Sequence, residues 1–139
     1  MRILVAYYSR TGNTKFVAEK IAEKLNAAIR EKLTEIEQTK TIDGYDLVIV
    51  GSPVWAGKIT PASRTFLVKN DLSGKQVAFF VTVGSDKPEK VLSNIKELVK
   101  PIEPLSELAI LNNLEDKEDA TEKISAWCEK IKSIIDQKQ

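Results

Sequence analysis

The sequence predicts an α/β fold in which a parallel sheet is covered by helices on both faces. Two observations predict it. Residues 2–9, 47–51 and 76–83 are runs apolar on both sides of a strand, as fully covered parallel strands require. Between and after them lie segments whose apolar residues recur at helical spacing, so strands and helices alternate along the chain.

The first strand is residues 2–9 (RILVAYYS), which end at a Gly-containing turn. Beyond that turn Val17, Ala18, Ile21, Ala22 and Leu25 form one face of a helix, with Asn13 or Thr14 placed to cap it. Residues 28–36 are weakly alternating and charged, which suits an edge strand or its approach. The second buried strand, 47–51 (LVIVG), breaks into residues 52–58, a loop of turn formers around Trp55. Thr60 and Pro61 then read as the N-cap and first residue of a helix that buries Phe66 and Leu67.

Residues 76–83 (QVAFFVTV) are the most strand-like stretch, and they end in the loop 84–88. Val91, Ile95, Leu98 and Val99 mark the following helix, which Pro101 and Pro104 stop. Residues 108–111 supply a fifth short strand. Ile124, Trp127, Cys128, Ile131, Ile134 and Ile135 define a closing amphipathic helix.

Composition narrows the chemistry. At 139 residues the chain has the size of one domain, read as 1–139 without a linker. Apolar runs fall short of a membrane span and the apolar start lacks a cationic flank, so a cytoplasmic protein without membrane association is expected. The 21 basic and 20 acidic residues give a net charge of +1, which offers no bulk attraction for nucleic acid or an anionic membrane. A single cysteine excludes internal disulfides and multi-cysteine metal sites. The absence of histidine excludes Ser-His and Cys-His nucleophile pairs and His zinc sites. Any chemistry would therefore come from carboxylates, Lys, Tyr, Cys or a cofactor. Cys128, on the apolar stripe of the last helix, reads as a buried and inert thiol.

In a parallel sheet the loops after the three buried strands emerge at one edge, where ligands bind. The first offers N–H groups at a helix N-terminus and the hydroxyls of Ser9, Thr11 and Thr14, a combination that suits a phosphate. A well-capped ordinary turn would contain some of the same residues. The loop lacks the Gly-Lys-Ser/Thr ending of a Walker A motif and the three glycines of a dinucleotide fingerprint, which argues against ATP and NAD.

Ser9, Arg10, Thr11, Gly12, Asn13 and Thr14 match the phosphate-loop pattern [Ser/Thr]-x-Thr-Gly-x-Thr of the flavodoxins, in the same place relative to the first strand. Residues 51–55 and the Gly84 loop resemble that family's two isoalloxazine loops, and the resemblance runs over essentially the whole chain. It implies a flavodoxin-like three-layer sandwich, a five-stranded parallel sheet of order 2-1-3-4-5, and bound FMN. Residues 9–14 would hold the phosphate. Ser52, Pro53, Val54, Trp55, Ala56 and Gly57, with Gly84, Ser85 and Asp86, would surround the ring, Trp55 lying against one face.

In that family the peptide after the aromatic can turn its carbonyl toward flavin N5, and Gly57 would make the required change of φ cheap. No catalytic side chain and no metal are implied. The expected role is that of a low-molecular-weight electron carrier working between redox partner proteins. Two departures keep other roles open. The third loop has no Tyr to stack on the second flavin face, which leaves room for a quinone or nicotinamide and hence for an FMN-dependent oxidoreductase. The loops carry Arg10, Lys15, Lys58 and Lys87 against Asp86, where family members are strongly acidic, so a reduced anionic flavin would be favoured. A module with the fold but without the flavin is the third possibility.

Overall fold

A computed structural model describes residues 2–10, 12–30, 42, 44–84, 88–111 and 117–138. In chain order the elements are β1 (Ile3–Tyr7), α1 (Asn13–Leu25), β2 (Ala28–Arg30), β3 (Leu47–Trp55), β4 (Lys58–Ile59), α2 (Pro61–Lys69), β5 (Gln76–Val83), α3 (Glu89–Val99), β6 (Glu107–Leu111) and α4 (Lys117–Lys138). Five strands are parallel in the order β2-β1-β3-β5-β6, which is the expected 2-1-3-4-5 counted over the parallel strands. The short β4 returns antiparallel along the end of β3.

Side-chain alternation explains the layers. Leu4, Ala6, Val48, Val50, Phe79 and Val81 point to one face, where α2 and α3 bury Phe66, Leu67, Val91, Ile95 and Val99. Val5, Tyr7, Leu47, Ile49, Ala78 and Phe80 point to the other, against Val17, Ala18 and Ile21 of α1 and Ile124, Trp127, Cys128 and Ile131 of α4. A central strand must satisfy both layers, which is why its sequence is continuously apolar rather than alternating. The indole N–H of the buried Trp127 donates to Ser106 Oγ at 3.0 Å, so this ring is packing with its one polar atom satisfied.

Three local expectations are corrected. Residues 52–55 continue β3 instead of forming a loop, and the connection shrinks to Ala56 and Gly57 between β3 and β4. Pro53 is tolerated because β1 pairs with β3 only as far as Gly51; beyond it, no strand on that side needs the missing N–H. The N-cap of α1 is Gly12, without a side-chain hydrogen bond, in place of Asn13 or Thr14. Ile134 is half-buried rather than a full member of the stripe on α4. The cap of α2 is as expected: Thr60 Oγ1 accepts from Ser63 N, and Pro61 follows. Within 28–36 the described strand covers 28–30, and the remainder lies outside the described residues. No helix among the described residues is long and apolar enough to cross a membrane.

Candidate functional site

Because β1, β3 and β5 run in parallel, Tyr7, Trp55 and Val83 end at the same edge of the sheet. The turn after β1 is held by one hydroxyl. Ser9 Oγ accepts the N–H of Gly12 at 3.1 Å and of Lys15 at 3.2 Å, while Gly12 O accepts the first helical bond from Phe16 N at 2.9 Å. Gly12 sits at φ 98°, a conformation an L side chain rarely adopts, and a Cβ there would meet nothing within 4 Å. Glycine is therefore required by the backbone angle and not by crowding. These exposed N–H groups sit at the positive end of the 13-residue α1, whose first turn contains no acidic residue. An anion's oxygen could take the place of the Ser9 hydroxyl on these donors.

Thr14 is buried, and its hydroxyl meets that of Thr82 at 2.9 Å, which fastens the first turn of α1 to the end of β5. Asn13 is half-buried, Arg10 is exposed, and Lys15 lies 3.9 Å from Glu19 on its own helix. Thr11 lies outside the described residues.

The second wall is the β3–β4 hairpin. Ser52 and Pro53 are buried beneath it, and Val54 is half-buried against the core. Ser52 Oγ donates to Pro53 O at 2.7 Å and accepts from Thr60 N at 3.0 Å; Thr60 Oγ1 in turn meets Ser63 Oγ at 2.9 Å. This chain of hydroxyls pins the hairpin to the start of α2, with the Ser52 hydroxyl buried within it. Ala56 at φ 52° and Gly57 at φ 78° make a turn with two left-handed residues, the type that matches the twist of a two-residue hairpin.

The turn lifts Trp55 outward, where it is 40% exposed. Its ring stands edge-on to Tyr8, with centroids 5.7 Å apart and planes at 87°, and the Arg10 guanidinium lies 5.8 Å from its centroid. The first and second loops thus touch through an aromatic pair and a cation–π contact. Tyr8 belongs to this rim, although in the sequence it is only one residue of the first strand run, 2–9. Its signal is positional: consecutive Tyr residues at a strand end send one ring, Tyr7, into the core and the next to the opposite side. From the third loop, Gly84 is exposed at the end of β5, while Ser85, Asp86 and Lys87 lie outside the described residues.

A parallel sheet of order β2-β1-β3-β5-β6 covered by helices on both faces defines a doubly wound α/β protein. Comparison with known proteins specifies the class further. The family model described as a flavodoxin domain matches residues 4–118, and the chain belongs to that family. It is similar to a flavodoxin of Maridesulfovibrio salexigens, 33% identical over 93 residues; the match spans 60% of this chain and 64% of that relative, less than two thirds of its length. Among solved structures, oxidised flavodoxin 2 from Bacillus cereus superposes with a TM-score of 0.77 at 26% identity, covering 96% of this chain and 99% of that one. A flavoprotein from Lactobacillus acidophilus solved in complex with FMN shares the fold, with a TM-score of 0.65 at 23% identity, covering 84% of this chain and 97% of that one.

Proposed function

We propose that this chain binds FMN non-covalently at the carboxyl edge of the sheet and works as an electron carrier between redox partner proteins. The observation that carries the reading is the meeting, at one edge, of the acid-free N-terminus of α1 and the exposed Trp55 indole. Family membership and an FMN-bound neighbour of the same fold support it.

FMN is the cofactor, and it would supply all the redox chemistry, in keeping with a chain that has no histidine and no assigned catalytic side chain. Ser9, Arg10, Thr11, Gly12, Asn13 and Thr14 would hold its phosphate, with the N–H groups now on Ser9 Oγ as donors. Trp55, Ala56 and Gly57 would line the ring, while Ser52, Pro53 and Val54 hold that hairpin. Gly84, Ser85 and Asp86 would close the remaining side.

The protein contributes orientation, charge and exclusion of water. The test is an FMN titration followed by visible absorption and fluorescence. Stacking on an aromatic is worth roughly 1–3 kcal/mol, so Trp55→Ala should weaken FMN binding about ten- to hundredfold. Unchanged affinity would remove Trp55 from the site, and a protein that takes up no FMN would sink the whole reading.

A second reading rests on the third loop, which contains no aromatic residue between Gly84 and Pro88. A ring face left open on that side admits a second flat molecule, as an FMN-dependent quinone or NAD(P)H oxidoreductase would need. Stopped-flow mixing separates the two, since a carrier does not turn over NAD(P)H and a quinone together.

A further inference from the structure

Beside the Trp55 hairpin lies a groove of about 710 Å³ between α2 and α3, outside the residues assigned to the cofactor. Its floor is apolar, formed by Ile59, Val91 and Leu98, and its upper lip carries Lys58 and Arg64. Both cations are exposed, and neither enters an ion pair among the described residues. The one acidic residue lining the groove, Glu97, is neutralised by Lys100 at 2.8 Å.

The first turn of α2, which opens on this lip, has no acidic residue, so its dipole adds positive potential to that of the two side chains. Lys58 is the cross-strand partner of Trp55, which makes the groove continuous with the hairpin of the candidate FMN site.

We infer that this groove and its basic lip are the docking surface for an acidic redox partner protein. Carboxylates of the partner would meet Lys58 and Arg64, and an apolar side chain would enter the groove over Ile59 and Leu98. The pattern is that of a recognition patch with an apolar centre and a charged rim, where charge sets the encounter and the pocket sets the lifetime. It also places the partner against the strand pair that carries Trp55. The electron-transfer role of the surface rests on the FMN reading; its binding role does not.

The probe is a strongly acidic [2Fe–2S] ferredoxin, titrated into the isotope-labelled protein at low salt while amide signals are followed. Perturbations should concentrate at residues 57–65 and 91–98, fade in 0.3 M salt, and weaken roughly tenfold in affinity in K58E/R64E. The neutral pair K58Q/R64Q should fall between them, which keeps the test intact should the reversed charges impair folding. No perturbation, perturbation centred on α1 and α4, or the same shifts produced by free glutamate would each overturn the surface.

With FMN loaded, one electron passing from the reduced ferredoxin cluster to the oxidised flavin should slow several-fold in R64E, a residue away from the flavin loops, at unchanged FMN affinity. An unaltered rate overturns the proposal. Localised shifts in a protein that takes up no FMN would uphold the surface and reject the cofactor.

Discussion

Gly51 and Phe80 face each other across β3 and β5, and their fit sets up the sharpest test of the core. A methyl group at position 51 would lie 1.9 Å from Phe80 Cζ and 2.4 and 2.5 Å from its two Cε atoms. Carbon atoms in contact prefer about 3.5–4.0 Å, so the ring must retreat by roughly 1.5 Å. Phe80 is fully buried and packed between the sheet and the α1/α4 layer, where little free volume can absorb that movement. Gly51 is not among the residues at positive φ, so backbone strain adds nothing and the clash stands by itself.

Overpacking of this kind costs about 3 kcal/mol, at the upper end of the usual range, which for a chain this long is a fall in Tm of roughly 10 °C. Phe80→Ala alone leaves a cavity and costs about 3–5 kcal/mol. In the double variant the new methyl enters space the ring has vacated, so the two costs should not add. A coupling of about 2–3 kcal/mol is expected from urea unfolding of the wild type, both single variants and the double. An additive cycle, or Gly51→Ala within 0.5 kcal/mol of wild type, would refute the packing argument.

Thr14→Val should cost about 1–3 kcal/mol by leaving the buried Thr82 hydroxyl short of its partner, and Thr14→Val with Thr82→Val should recover part of that loss, as read by urea unfolding. Burial pushes the Cys128 thiol up to about 11, so it should stay protonated and unreactive toward thiol reagents near neutral pH. Since the folded value lies above the unfolded one, its stabilising contribution is complete below about pH 9 and is lost as pH rises toward 11. The loss is roughly 2–3 kcal/mol, and Cys128→Ala should flatten that part of the stability–pH curve.

What the sequence makes legible is whatever local pattern and tertiary environment agree upon. β1 and β5 are apolar on both sides because both layers press on them, and α2 begins where Thr60 and Pro61 say it should. Residues 52–55 mislead for a physical reason: Pro53 is a strand breaker only where its N–H is needed. The end of β1 at the Gly51 register removes that need. The cap of α1 is similarly hidden, because Ser9 reaches forward across the turn to donors that Asn13 and Thr14 were expected to satisfy. Thr82 looks like a strand residue until folding sets it against Thr14, and Tyr8 joins the rim only because the hairpin turn lifts Trp55 toward it. Contacts between distant segments leave no periodic trace.

Several departures from local stability rules meet at the carboxyl edge, and they bear on the proposed function. Trp55 leaves much of an apolar ring in water, Ala56 occupies a left-handed conformation that its side chain disfavours, and Gly12 gives up chain stiffness to hold φ 98°. Neither α1 nor α2 has an acidic residue in its first turn, where one would ordinarily stabilise a helix. Each feature is unfavourable or neutral for folding. Each is useful to a flat, phosphorylated ligand that needs free N–H donors, a stacking surface and a tight turn beside it. The opposite edge has left-handed residues of its own, Asn26, Gly44 and Gly74, in the turns before β2, β3 and β5, and there Lys96 with Glu107 and Lys100 with Glu97 form ion pairs around the connection from α3 to β6. What sets the carboxyl edge apart is the pairing of an acid-free helix N-terminus with an exposed indole, the combination the proposed cofactor would use.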